Sequence, residues 1–478
     1  MLCVLGRRDF LRGALAAAGA TLLPGCGARR QPAVRVALAA VPGNGYIQYL
    51  LTIAIETAAQ EASSRVDLSL DADWRAWVAH GDAALPDLVL TGASGIVPPL
   101  SGRLQDLSPI LQAVRATGDL LPAERWRPSG HQAALPVLCD PLVLLTVPDF
   151  PADTQGQGFP FLGSGWLENS GAKVPPWDWN ALVEAVAADQ TRHSGYSGID
   201  LGLPDTGPTL ALWLARGFNS PLAEAAPSTW RASFADGLAV PDLTPEQVPT
   251  LPTHGPHTGM SALLALLWLA PPPGRQPLRP RIRFTHASTA AGGGGLDAGR
   301  TLTPASGYRL LPLPVLPAGP VVGARFLTVS VSRTAPPQAL ALVRQLLRPE
   351  TQADLARSGW GVPATAKGFL EWAVAPYRCT FTGGLLSYHW VCAPLPLTTA
   401  ELTISPQEVF GARTAANAAA YDLVQRDLLA ALASLPGTDP AGAAAILRAA
   451  AAAANDGQTF AAPGRSAPVP PGVVFPGF

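Results

Sequence analysis

Residues able to do chemistry are present, but not in the arrangements that reactions need. The chain has neither a Gly-x-Ser-x-Gly nucleophile elbow nor a His-Glu-x-x-His zinc helix. His254 and His257 are separated by two residues in Thr253-His254-Gly255-Pro256-His257-Thr258. A loop pair of this kind can hold a metal, yet no third ligand lies nearby in sequence and a zinc site needs three or four, so no metal is expected. Gly292 to Gly295 is a run of glycines without a following Lys-Ser or Lys-Thr, a flexible loop and not a phosphate cradle. Nothing points to catalysis or to a cofactor. Side chains suited to holding a ligand are easier to find. Asn44 and Tyr46 stand in the turn-rich stretch Pro42-Gly43-Asn44-Gly45-Tyr46, just past an expected first strand, and open α/β sheets bind ligands at the carboxyl ends of strands. Ordinary turn chemistry accounts equally well for Gly43-Asn44-Gly45. Trp213 can stack on a flat ligand or belong to a core, since it lies between Leu210 and Leu214 at helical spacing. His389 and Trp390 form a further candidate face, and Gly323 offers room for close backbone approach.

The elements that would position these residues follow an alternating pattern. Val34 to Ala40 reads as a strand, Ile47 to Ala62 as a helix, and Val66 to Leu70 and Leu85 to Leu90 as further strands. Strands alternating with helices predict an α/β fold with a largely parallel sheet. Ala134 to Leu138 and Leu142 to Val147 are apolar stretches on either side of Asp140-Pro141. Asp178 is placed to cap a helix over Ala181 to Ala188, and a helix around Leu210 to Arg216 carries Trp213. The apolar run Met260 to Ala270 stops at three prolines and predicts a buried helix. A strand at Phe326 to Val331, a helix at Gln338 to Leu346 and closing helices near 415–435 and 441–455 complete the pattern, ahead of a Pro/Gly tail expected to be loosely ordered.

At 478 residues the chain is too long for one core and suits two lobes. A net charge of -1 removes the electrostatic footprint of a nucleic-acid binder. Glycine and proline number 47 and 50, below the level that marks wholesale disorder, so 235–258 and 271–307 are expected to be long surface loops.

The first residues read as an address. Arg7-Arg8-Asp9-Phe10-Leu11-Arg12 precedes a short apolar run, Ala14 to Leu23, ending in Leu23-Pro24-Gly25-Cys26. A charged start, a short hydrophobic segment and small residues at a cleavage point are the parts of an export signal. The paired arginines resemble the twin-arginine export signal, and the cysteine ending resembles a lipobox with Cys26 as the lipidated mature terminus. The apolar run is short of the roughly 20 residues a spanning helix needs. Export places the mature chain where disulfides form. Cys379 and Cys392 flank an expected Gly383-Gly384 hairpin; a bridge between them and two buried thiols remain alternatives, because sequence does not supply bond geometry. Cys139 is left over as a small buried side chain.

Several segments, in order, resemble the extracellular solute-binding proteins of bacterial ABC transporters, in the sugar-binding class that includes maltose-binding protein. They are Leu85-Pro86-Asp87-Leu88-Val89-Leu90; Gly102-Arg103-Leu104-Gln105-Asp106-Leu107-Ser108; His131 to Val147; Pro175 to Ala188; Tyr308 to Pro314; Phe326 to Ser332; Pro349 to Ala356; and Gly361-Val362-Pro363-Ala364. Together they cover most of 34–456. The chain departs from the pattern at 250–305, where Gly259-Met260 stands for a longer segment, and near Phe410, where relatives often carry tryptophan.

The resemblance implies a periplasmic-binding-protein-like α/β fold of two lobes, each with a central, mostly parallel sheet flanked by helices, joined by several crossovers. The expected boundaries are an export signal over 1–26, a tether over 27–33, lobe one over 34–137 and 312–375, lobe two over 138–311 and 376–460, and a tail over 461–478. Crossings are expected near Val137, Pro312 and Pro376. Relatives place an acidic sugar ligand where Asp140 falls, and the full expected ligand set is Asn44, Tyr46, Asp140, Trp213, Gly323 and Trp390. The implied role is capture of a sugar or related small polar solute by a monomeric, lipid-anchored receptor and delivery to an ABC permease. A sensor or adhesin on the same fold and a secreted hydrolase are the rival readings.

Overall fold

The computed structural model describes residues 33–39, 45–70, 85–92, 100–117, 132–147, 178–193, 198–225, 230–241, 258–270, 281–286, 309–371 and 418–461, with short gaps in 198–225 and 309–371, together with Trp77 and Phe150. Asn44, Trp390, Cys26, Cys379, Cys392, the two loop histidines and the four-glycine run lie outside these residues.

Strands β1 (Val34–Ala39), β2 (Val66–Ser69) and β3 (Leu88–Thr91) form a parallel set with β1 in the middle. The β-α-β connection between the parallel strands β1 and β2 is helix α1 (Gly45–Glu61). Strand β3 is buried at every position, as expected of a strand covered on both faces. Asp87 at its start fixes the neighbouring strand: its Oδ2 accepts the Arg35 backbone N–H at 2.9 Å, and its Oδ1 meets the Arg35 guanidinium at 3.0 Å.

The central element is β4 (Leu135–Thr146), one strand of twelve residues. The two apolar stretches read from the sequence are therefore a single strand that runs straight through Asp140-Pro141. Along one edge it pairs antiparallel with β10 (Ala324–Val331) over 135–141 and then with β9 (Arg309–Leu311) over 144–146. Along the other edge it pairs with β11 (Val362–Pro363) over 138–139 and then with β8 (Ile282–His286) over 142–146. Leu142 donates its N–H to the Gly323 carbonyl at 2.8 Å, so the alternation of an antiparallel ladder aims position 141's nitrogen at the opposite edge. No described strand pairs with 140–141 on that edge, and a proline, which has no N–H to donate, fits the gap.

Two hydrophobic cores lie along this strand. The first takes in β1, β3, β10, α1, α2 (Ser108–Ala116), α6 (Pro337–Leu346), α7 (Pro349–Ala356) and β4 as far as Cys139. The second begins at Leu142 and takes in α3 (Trp179–Arg192), α4 (Gly207–Gly217), α5 (Gly259–Trp268), α8 (Ala418–Ser434) and α9 (Pro440–Asn455), with the β6–β7 hairpin (Ala223–Ala225 and Trp230–Ala232) and β5 (Ile199–Asp200). The chain changes core within Asp140–Pro141 and returns between Leu316 and Ala324. A third change falls between Ala364 and Val424.

Local sequence explains the helices of the second core. Asp178 is the N-cap of α3, its Oδ1 accepting the Ala181 N–H at 2.9 Å, a cap worth about 1 kcal/mol. Helix α5 is apolar on all sides apart from Ser261 and is buried from Gly259 to Leu266, as such a helix must be. A Cβ at Gly259 would lie 2.6 Å from the Ala215 backbone nitrogen, so α4 and α5 meet backbone to backbone. The Gly259-Met260 remnant marks that contact. Asp189 is fully buried and takes both Nε and Nη2 of Arg281, at 2.9 to 3.1 Å, tying α3 to the start of β8.

Candidate functional site

Strand direction identifies where a ligand can sit. Strands β1 and β3 run parallel to β4 and stop at the rung Thr91–Thr328–Pro136. Strands β8 and β5 run the opposite way and stop near the rung His286–Leu142. The carboxyl ends of the two sets therefore point toward each other, six residues of β4 apart, or about 20 Å at strand rise. Carboxyl ends of strands are where open α/β sheets hold ligands. Among the described residues, β4 paired with β10 and the residues before it spans that whole interval, and β11 pairs with β4 at 138–139 within it.

Asp140 lies in this interval. Its Oδ2 is 2.7 Å from Nε of Arg325, the residue directly opposite on β10. Asp140 is fully buried, whereas the Arg325 side chain keeps 12% of its surface exposed. Side chains of alternate strand residues share a face, so Asp140, Leu142 and Leu144 point one way, together with their cross-strand partners Arg325 and His286. His286 is buried, and its Nε2 lies 2.9 Å from the Thr209 hydroxyl in the first turn of α4. A charge pair and a hydroxyl–imidazole pair thus occupy neighbouring rungs on one face of the crossing.

Two expected site residues have other work. Trp213 has no exposed surface and packs its ring against Phe284 with centroids 5.9 Å apart, so it is part of the second core in this structure. The reason is that α4 is enclosed, its residues from Gly207 to Ala215 all buried, so the side chain at 213 has only core to enter. The approach permitted by Gly323 is likewise to protein: a Cβ there would lie 3.0 Å from Trp213 Cβ and 3.4 Å from Thr209 Cγ2. Tyr46 falls in the first turn of α1, beyond the carboxyl end of β1.

Nothing in the sequence alone points to Arg325, His286 and Thr209 as neighbours. Arg325 is 185 positions from Asp140, and its one local sign is a charge inside an otherwise uncharged strand. Among the described residues no group of three histidine, cysteine or carboxylate side chains could hold a metal, and no helix is long and apolar enough to cross a membrane.

Cys139, beside Asp140, is a free and fully buried thiol. Burial first, and then the Asp140 charge, push its pKa well above the usual value. Alkylation of Cys139 by iodoacetamide is therefore expected to require unfolding, read by mass spectrometry with and without urea. The sign of the linkage follows. The unfolded thiol loses its proton from about pH 8.5 while the folded one keeps it, so this residue's share of stability is complete below that pH and falls as pH rises above it.

No protein-family model matches the sequence, and no curated protein sequence matches it. Solved structures do. An ABC-transporter solute-binding protein from Agrobacterium radiobacter K84, solved in complex with ribitol, is 13% identical over 89% of this chain and 98% of its own, with a TM-score of 0.53. A putative oligosaccharide periplasmic-binding protein from Synechococcus sp. MITs9220 is 15% identical over 88% and 98%, with a TM-score of 0.51. The cyclic alpha-maltosyl-1,6-maltose binding protein from Arthrobacter globiformis is 15% identical over 89% and 98%, with a TM-score of 0.50. At such identities the likeness is one of fold. Two cores joined by a shared strand, with carboxyl ends opposed across it, give this chain the α/β fold of the periplasmic solute-binding proteins.

Proposed function

We propose that this protein is an extracytoplasmic binding protein that captures a sugar or related small polar solute between its two cores and hands it to an ABC permease. The observation that carries this reading is the opposition of strand carboxyl ends across β4, with Asp140 and Arg325 on the ribbon between them. A carboxylate and a guanidinium that compensate each other suit a neutral ligand rich in hydroxyls, and a buried polar site rejects ligands that leave its groups unpaired. The structural neighbours named above, described as solute-, oligosaccharide- and maltosyl-maltose-binding proteins, support the same class. The twin-arginine-like start and Cys26 support export and lipid anchoring outside the cytoplasmic membrane. Asn44, Tyr46 and Trp390 remain proposed ligand contacts, Tyr46 from the first turn of α1 and the other two from outside the described residues.

Capture works by population shift. A ligand that touches both cores only in a closed arrangement favours it by the difference in its affinity for the two arrangements. A thermal-shift screen of neutral polyols and sugars, from ribitol to linear and cyclic maltooligosaccharides, tests the reading. A bound sugar at 100 times its dissociation constant raises stability by about 2.7 kcal/mol, seen as a higher Tm. A flat response across the series would count against sugar capture.

A further inference from the structure

Among the described residues, the large hydrophobic side chains left exposed lie together on the first core: Tyr49, Ile53 and Leu70, at 58%, 41% and 45% of their surface. Single exposed residues of this kind are normal, whereas a group of them marks an interface. Topology groups these three. Helix α1 joins two parallel strands, so it runs back along them and its first turns lie at their carboxyl end, where Leu70 follows β2.

One flank of α1 is occupied. The Glu61 carboxylate accepts Nε2 of Gln345 in α6 at 2.6 Å, and α6 and α7 both pack on the helix. At about 100° per residue, Tyr49, Ile53, Glu56 and Gln60 share the flank on the other side of the buried stripe Leu51, Ile55, Ala58 and Ala59. Helix α6 packs on β10 and α1 on β2, so that second flank opens past the edge of the sheet. There β2 is the last strand, and among the described residues nothing pairs with its outer edge.

We propose that a second copy of this chain covers this edge, in place of the monomer that the resemblance implies. Strand β2 pairs antiparallel with its own counterpart across a two-fold axis, and α1 packs against α1. The spacing fits. Strands in a sheet lie about 4.8 Å apart, and α1 bridges β1 and β2, so the two helices fall two strand spacings from each other. That is about 10 Å, the distance at which helices pack. An open strand edge needs another strand, and an apolar helix flank beside it needs another apolar surface at the same height. A two-fold copy carries both by construction. The interface leaves the crossing free, because antiparallel strands aim their carboxyl ends in opposite directions. It does not depend on the capture reading.

Sedimentation velocity of the full chain over about 1 to 100 µM is the test, with hydrogen exchange followed at both ends of the series. The parent is expected to pass from monomer to dimer, and amide exchange in β2 and the first half of α1 is expected to slow as the dimer forms. Ile53→Glu, which adds a charge to the apolar flank of both copies, is expected to raise the dissociation constant about a hundredfold. Thr191→Glu, exposed on α3 in the second core, is expected to leave it unchanged. A parent that stays monomeric throughout overturns the proposal and leaves this face to a different protein. A dimer that survives Ile53→Glu, or slowed exchange confined to other segments, overturns it too. Should Ile53→Glu fail to fold, Leu70→Asp makes the same test from the strand side, and an unaltered dissociation constant there rules the interface out.

Discussion

Replacing Arg325 with methionine is expected to lower the unfolding free energy by about 3–5 kcal/mol, because it takes the guanidinium away from the fully buried Asp140 carboxylate. The Coulombic gain of the pair itself is not the source of that figure. Taking both charges out of water is costly, and replacing both with uncharged side chains of similar shape is often neutral. The effect should therefore be strongly non-additive: Asp140→Asn combined with Arg325→Met is expected to recover most of the loss. Urea denaturation of the two single variants and the double variant measures this. Equal and additive losses would mean that the pair is not coupled as its 2.7 Å separation implies.

Arg281→Met is expected to cost a similar amount, about 3–5 kcal/mol, since Asp189 is fully buried and Arg281 approaches it through both Nε and Nη2. The loss should appear in the second core, where Arg281 ties α3 to β8, and hydrogen exchange would show it as faster amide exchange in α3. Arg231 gives the contrast. It joins Glu224 and Asp236 on the surface with about half of each side chain exposed, and Arg231→Ala should change stability by less than about 1 kcal/mol. A small effect at Arg281 would place its pair in that same weak class.

Much of the scaffold was readable because each piece is local. Val34 to Ala40, Val66 to Leu70 and Phe326 to Val331 announce strands through short apolar runs, and the structure has β1, β2 and β10 there. Asp178 is a cap by residue type and position, and it caps α3. Asp140-Pro141 separates two apolar stretches in the sequence and is also a common turn signal, yet the strand continues through it, the proline nitrogen facing an edge where no described strand pairs. Of the candidate site, Asp140 is a candidate that the sequence offers, and its pairing with Arg325 is not. Arg325 meets it through pairing of strands 185 residues apart, and His286 meets Thr209 across 77. Register of that kind is set by tertiary packing and leaves no local trace. Trp213 has the same side chain whether it faces a ligand or a core, and only the enclosure of α4 decides between them.

Isothermal titration of the sugar giving the largest thermal shift, run on the parent and on Asp140→Asn, tests the central claim most directly. The predicted result is one sugar per chain, with binding weakened by about 1–3 kcal/mol in the variant, the cost of leaving a buried polar group unpaired. The same affinity in both chains would put the ligand somewhere other than the crossing between the cores.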